Sequence, residues 1–433
     1  MRAGSWSLTQ TTAVTGCVAL SAVVLLVWTR APLGSPIFFA LAVVIGGAYL
    51  ALLRRAWEAA SGERRPLMLA LAFAVLFRLP LALAPVGPDS DMERYLWDGR
   101  VQTLGYNPYS VVPADPAMAP THTADSARMP SRHARTPYPP AAQLFFRLVV
   151  TLHDSLLVMK LAMLAADLLT IVVLLRWLAA TRRSEWLAIA YAWNPLVILE
   201  VAHSGHVDAL GAMWLVLAAW CLTTRRTLLA VLAFVLAVTT KLLPIVLAPL
   251  FAGRVRWRDA TIGALLVAVL YYHFHDASAP ALGAVPNVVD YIRFNGPVFR
   301  ALAGLGSPRL AAAVALLAGL GAAAIARVRL PADDPAGWSW PMALSLAAAP
   351  VVYPWYLLYL TPFLWTRRTL PLVAWSLSAP AAYVVWEMSR RGGRWSVPGV
   401  VQAFELAVPI GVALLLWRRS RLDPAPAELS VRS

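Results

Sequence analysis

Apolar runs long enough to cross a bilayer recur from one end of this chain to the other, and arginines mark many of the turns between them. A hydrocarbon core about 30 Å thick needs about 20 apolar residues per helical crossing. Within lipid only helices and closed barrels satisfy every backbone polar group. The chain therefore reads as an all-α, polytopic integral membrane protein. Its composition agrees: 60% of the 433 residues are hydrophobic and 14% are charged, against roughly a quarter charged in a soluble domain, and the mean hydropathy is +0.65. The net charge of +15 does not point to nucleic acid, because lysine and arginine collect in short runs between apolar segments. Cys17 and Cys221 both fall inside apolar runs and supply neither a disulfide framework nor a metal site.

Charge asymmetry sets the orientation. Spans are expected over 13–28, 36–53 and 66–85, and Arg54, Arg55, Arg64 and Arg65 between the latter two belong on the cytoplasmic side. The first run is kept as a membrane helix rather than a cleaved signal, since no small-residue cleavage site follows it. Later spans are expected over 156–180, 186–201, 207–223, 261–275, 310–326, 370–388 and 399–417. Segments 227–251 and 338–365 have arginines on both sides. Each is read as a hairpin broken on the outside, at Lys241-Leu242-Leu243-Pro244 and at Pro354-Trp355-Tyr356. The expected total is roughly twelve to fourteen crossings in a single transmembrane domain. It comprises an N-terminal helix pair (1–65), long external loops at 86–155 and 276–307, and a disordered tail at 419–433. No internal repeat is evident, which weighs against a transporter built from inverted halves.

The polar residues are not scattered. Gly87 to Arg100, followed by Gly105-Tyr106-Asn107-Pro108-Tyr109, crowds acids, bases, Gly, Pro and aromatics into one external stretch. The charge-derived topology places Asp89, Asp91, Tyr138, His203, His206, Asp208, Lys241, Trp355 and Tyr356 on one, non-cytoplasmic side of a multi-pass membrane protein. Carboxylates spaced Asp-x-Asp can deprotonate a hydroxyl or hold a divalent cation, such as magnesium or manganese, against a phosphate. Lys241, Arg78 and the histidines can neutralise a phosphate leaving group. Tyr109, Trp355 and Tyr356 suit sugar faces.

These residues carry a resemblance. Ser90 to Arg100 with Gly105-Tyr106-Asn107-Pro108-Tyr109 resembles the first external loop of GT-C-fold glycosyltransferases, most of all the bacterial polyprenyl-phosphate-mannose-dependent alpha-mannosyltransferases. Tyr138-Pro139-Pro140 before an amphipathic helix, the His206-x-Asp208 turn, Lys241-Leu242-Leu243-Pro244 and Pro354-Trp355-Tyr356 match in the same order, over about residues 66–366. The resemblance implies an inverting transfer from a polyprenyl-phosphate sugar donor to a glycan or glycolipid acceptor at the outer face of the cytoplasmic membrane. Carried onto this chain, Asp91 is the general base and Asp89 its helper or the metal-contacting candidate. Arg78, Arg94, Tyr95, Asn107, Tyr109, Tyr138, His203, His206, Asp208, Lys241, Trp355 and Tyr356 are the substrate-binding candidates. Two extra spans precede the catalytic loop, a departure from the family's usual start.

Plainer readings compete. His206 and Asp208 can cap the next helix, Lys241 can snorkel, and Trp355 and Tyr356 can form an interfacial belt. Asp167 and Glu405, inside spans, read as helix–helix polar contacts. At the level of function, the same fold with a pentose or glucose donor is one rival, and a transporter or flippase of lipid-linked sugars is the other.

Overall fold

The computed structural model describes residues 6–59, 63–85, 91–124, 126, 129–277 and 279–422. Among them the chain is helical without strands, apart from a single bridge pairing Phe294 with Val351. Asp89 lies outside the described residues, as does 423–433 of the expected tail.

Local chemistry starts the helices where the sequence breaks its apolar runs. Helix α1 (Leu8–Trp28) opens with a capping box between Ser7 and Gln10. Helix α2 (Pro36–Ala56) opens on a Ser35 cap with Pro36 in the first turn and closes with Arg54 and Arg55 against its negative end. Helix α3 (Arg64–Leu83) packs with α2 around α1. Helix α4 (Asp91–Thr103) carries Asp91 and Glu93 in its first turn, where the helix dipole favours acids. Helix α5 (Pro140–Leu152) lies along α4, and Ser155 caps α6 (Leu156–Ala180). The close approach of α4 and α5 depends on Gly99, where a Cβ would meet the Phe146 carbonyl oxygen at 2.6 Å.

Among the described residues seven helices are long and apolar enough to cross a membrane: α1, α2, α3, α6 and the segments Pro308–Arg329, Arg367–Arg390 and Gly399–Arg419. The other expected crossings are shorter or interrupted. Segment 186–201 is broken by Asn194-Pro195 and ends in a π-helix, Ile198–His203. Segment 227–251 divides at Lys241, whose extended backbone joins Thr227–Thr240 to the 3-10 helix Leu243–Phe251. Segment 338–365 divides after Pro335–Ala347 into 3-10 turns starting at Pro354. Proline accounts for each interruption, by removing a backbone donor and clashing with the preceding turn. The last helix reaches Leu422, which corrects the expected start of the disordered tail at 419.

Helix Asp208–Thr223 sits at the centre, mostly buried against α6 and Thr227–Thr240. Its Gly211 admits the Tyr359 ring, whose hydroxyl a Cβ would meet at 1.8 Å. This packing sets the start of the helix, and with it Asp208, beneath the breaks at Lys241 and Pro354.

Candidate active site

Where the broken segments meet the first turn of α4 there is a cavity of about 730 Å³. Seven predicted residues line it: Asp91, Arg94, Tyr138, Asp208, Lys241, Trp355 and Tyr356. They come from five separated stretches of chain. The remaining wall is largely apolar, with Leu242, Leu243, Val285, Val288, Ile292 and Leu346.

Ion pairs join the polar wall to His206 and Glu200, which stand behind the lining residues. Lys241 Nζ donates to both Asp208 oxygens at 2.7 and 2.9 Å and lies 3.9 Å from the Tyr356 ring centroid. Asp91 Oδ2 lies 3.6 Å from His206 Nδ1, and the opposite ring nitrogen, Nε2, lies 3.3 Å from Glu200 Oε2. These last two are charge contacts rather than aligned hydrogen bonds, since neither His206 Nδ1 nor Glu200 Oε2 has a hydrogen-bond partner. Burial by itself pushes the His206 imidazole down, but Asp91 and Glu200 outweigh it and raise the group to about 9. His203, three residues earlier, is pushed down to about 4 by burial and by the neighbouring Lys160 and His206. One histidine is thus a cation at neutral pH and the other is not.

Aromatic stacking fixes the ring of His206. Trp355 stacks on it at 4.2 Å and 8°, and Tyr353 stacks on Trp355 at 4.3 Å and 5°. Gly205, at φ +69°, makes the turn that delivers His206, and a Cβ there would strike Met92 of α4.

Arg94 reaches the cavity while anchored from behind. Its Nε donates to Asp98 Oδ1 at 2.7 Å and Nη1 to the Ala134 carbonyl at 2.9 Å, leaving Nη2 without a hydrogen-bond partner. Asp98 in turn accepts from Thr136 and Gln143, so a buried network locks the first external loop to α5.

More than half of the 433-residue chain, residues 1–256, matches the family model described as alpha-(1->6)-mannopyranosyltransferase, N-terminal domain. The chain belongs to this family. No curated protein and no solved structure matches it. This mannopyranosyltransferase is accordingly a mannosyl-transferring, multi-pass membrane glycosyltransferase acting on a sugar donor and a sugar acceptor, with the helical architecture expected of a GT-C protein. The match takes in the N-terminal helix pair as well as the loop of Asp91.

Several predicted residues of the mannopyranosyltransferase stand behind the cavity rather than at its wall. Arg78 is 1% exposed and paired with Asp167, and donates to the carbonyls of Ala74 and Ala192 at 2.7 and 2.9 Å. Its donors are spent inside the helix bundle, and Asp167 is the helix–helix contact the sequence implied. Tyr95 lies between Tyr138 and Phe146, its hydroxyl accepting from Val207 N–H. Asn107 donates to the Phe274 carbonyl at 2.8 Å, and the Tyr109 hydroxyl donates to the Tyr138 carbonyl at 2.7 Å. These two buttress Tyr138. Glu405 accepts from Asn295 and Trp375.

The sequence reading passed over Glu200, although the signal was present: it is the sole acid in the apolar run 186–201, and ionisable groups at membrane depth are functional by default. It also passed over Lys160, whose ammonium donates to the carbonyls of Leu81 and Ala84 and so caps α3 directly before the Asp89 segment. Among the described residues no group of three or more His, Cys, Asp or Glu side chains is placed to hold a metal ion.

Proposed function

We propose that this mannopyranosyltransferase is an inverting GT-C enzyme. In this reading it moves mannose from polyprenyl-phosphate-mannose to a glycan or glycolipid acceptor at the outer face of the cytoplasmic membrane. The observation that carries the reading is that Asp91, Arg94 and Lys241 line one cavity whose remaining wall is largely apolar. A carboxylate, an anion cradle and a path for an isoprenoid are what such a transfer needs.

Asp91 takes the proton of the acceptor hydroxyl. The acceptor oxygen bonds the anomeric carbon from the face opposite the phosphate, and the carbon–oxygen bond to phosphate breaks. Polyprenyl phosphate leaves with the electron pair, inverting the sugar. Negative charge grows on the departing phosphate, and Lys241 and Arg94 are the cations lining the cavity that can stabilise it. The rings of Tyr138, Trp355 and Tyr356 offer flat faces to the sugars. Asp89 is the helper carboxylate in this scheme.

The test is transfer from labelled polyprenyl-phosphate-mannose to a lipid-glycan acceptor pool in nanodiscs. Asp91→Asn should lower turnover by at least about a hundredfold, the low end for a general base, in a protein that still folds. Transfer by Asp91→Asn at the wild-type rate would rule out Asp91 as the base. Orientation is tested separately by a membrane-impermeant thiol reagent on Lys241→Cys, in a background where Cys17 and Cys221 are serine. Labelling solely from the cytoplasmic side would remove the outer-face assignment.

A further inference from the structure

The steps above use Asp91 and leave a buried acid without a task. Glu200 is 1% exposed in the π-helix Ile198–His203, facing the imidazole whose other nitrogen faces Asp91. We propose that Glu200 is a positioning residue for Asp91, acting through His206 as a chain of ion pairs that holds the base towards the acceptor hydroxyl. The proposal rests on the reading of Asp91 as that base.

Three features of the structure argue for it. The chain is built from both ends of its turn: His206 N–H donates to the Glu200 carbonyl at 3.0 Å while the two side chains face each other. π-Helical turns of this kind are rare and concentrate at functional sites. The chain is also rigid. The His206 ring is clamped on Trp355; separately, the second Glu200 oxygen accepts from the Tyr383 hydroxyl of the 3-10 helix Ala379–Tyr383, a contact that the positioning role does not require.

Finally, the chain is balanced but open. One imidazolium lies between two carboxylates, yet His206 Nδ1 and Glu200 Oε2 make no aligned hydrogen bond. Asp208, held by Lys241, faces the same imidazole from the next helix, and His203 lies one turn back. Lys241 already engages Asp208, so Glu200 is the carboxylate left to balance the His206–Asp91 contact from behind.

The competing reading is that Glu200 merely tethers the π-helix to Tyr383. Glu200→Gln separates the two, because the amide still accepts from Tyr383 but carries no charge. In nanodisc assays with polyprenyl-phosphate-mannose, Glu200→Gln should lose between about tenfold and a hundredfold in kcat, the scale of a misplaced catalytic group. Its donor KM should stay within about twofold of wild type, as for an interaction made in the transition state. Tyr383→Phe, which deletes the tether and keeps the charge, should retain kcat within about threefold.

A folded Glu200→Gln enzyme with wild-type kcat would overturn the inference, and so would an equal kcat loss in Tyr383→Phe. If Glu200→Gln does not fold, His206→Gln decides: the chain requires it to lose kcat on the same scale, and wild-type turnover there would overturn the chain. Failure of wild-type enzyme to use this donor would remove the functional reading and this inference together. Loss in Asp91→Asn with none in Glu200→Gln would remove the inference alone.

Discussion

Lys241 clasps the carboxylate of Asp208 with contacts of 2.7 and 2.9 Å to its two oxygens, although 33 residues of chain separate them. Asp208 is fully buried, so the ammonium offsets the cost of taking a carboxylate out of water. Lys241→Met should strand that charge and cost about 3 kcal/mol or more, the usual scale for breaking a buried pair. Adding Asp208→Asn should restore much of the stability without restoring transfer. Thermal unfolding in detergent reads the first effect and the nanodisc assay the second. A double mutant as unstable as Lys241→Met would show that the pair is not what the fold depends on.

The His206 cation sets a pH window. Its ordinary value of 6.5 is raised to about 9, because Asp91 and Glu200 outweigh burial. A raised value means stabilisation fully present below 6.5 and lost as pH rises through about 9. With Asp91 as base, kcat should therefore decline above about 9 as the imidazolium beside it loses its proton. The pH–rate profile of His206→Gln should lack that decline. The same alkaline limb in both enzymes would assign it to another group.

Arg78 should behave as a structural residue. Its guanidinium is shared among Asp167 and two backbone carbonyls, and Asp167 also accepts from the Tyr191 hydroxyl at 2.7 Å. Arg78→Met should lower stability by about 3–5 kcal/mol, while the fraction that folds keeps the wild-type donor KM. A selective rise in donor KM would return Arg78 to the substrate site.

Gly99→Ala tests whether the α4–α5 contact positions the base. The new methyl would meet a backbone oxygen at 2.6 Å and Val150 at 2.7 Å, and a backbone neighbour cannot swing away. A loss of about 1–3 kcal/mol is expected from overpacking. Turnover should fall with it, since α4 carries Asp91 in its first turn. Unchanged turnover in a destabilised protein would separate packing from catalysis here.

Much of the cavity lining was legible because its residues break the local rule. Asp91, Asp208 and Lys241 are charges beside long apolar runs, and charge in such a place needs a reason. The prolines at 244 and 354 forecast interrupted backbone, and α-helix gives way to 3-10 helix there. Glu200 obeyed the same logic, yet lacking a neighbouring motif it was overlooked. Arg78, Asn107 and Tyr109 show the opposite limit: whether a polar group lines a cavity or braces it depends on partners distant in sequence. Asn107 and Phe274 are 167 residues apart.

The sequence by itself determined that this chain is helical and membrane-embedded, where its polar segments fall, and which family loop it carries. Those properties follow from apolar run length, charge placement and local residue order, all of which act over short stretches of chain. Tertiary structure alone decided that Lys241 pairs with Asp208, that Arg78 is spent on Asp167, and that His206 stands between Asp91 and Glu200. Helices of similar composition can pack in many ways. The choice among them falls to shape and to the partner each buried charge requires, quantities that exist once the segments meet.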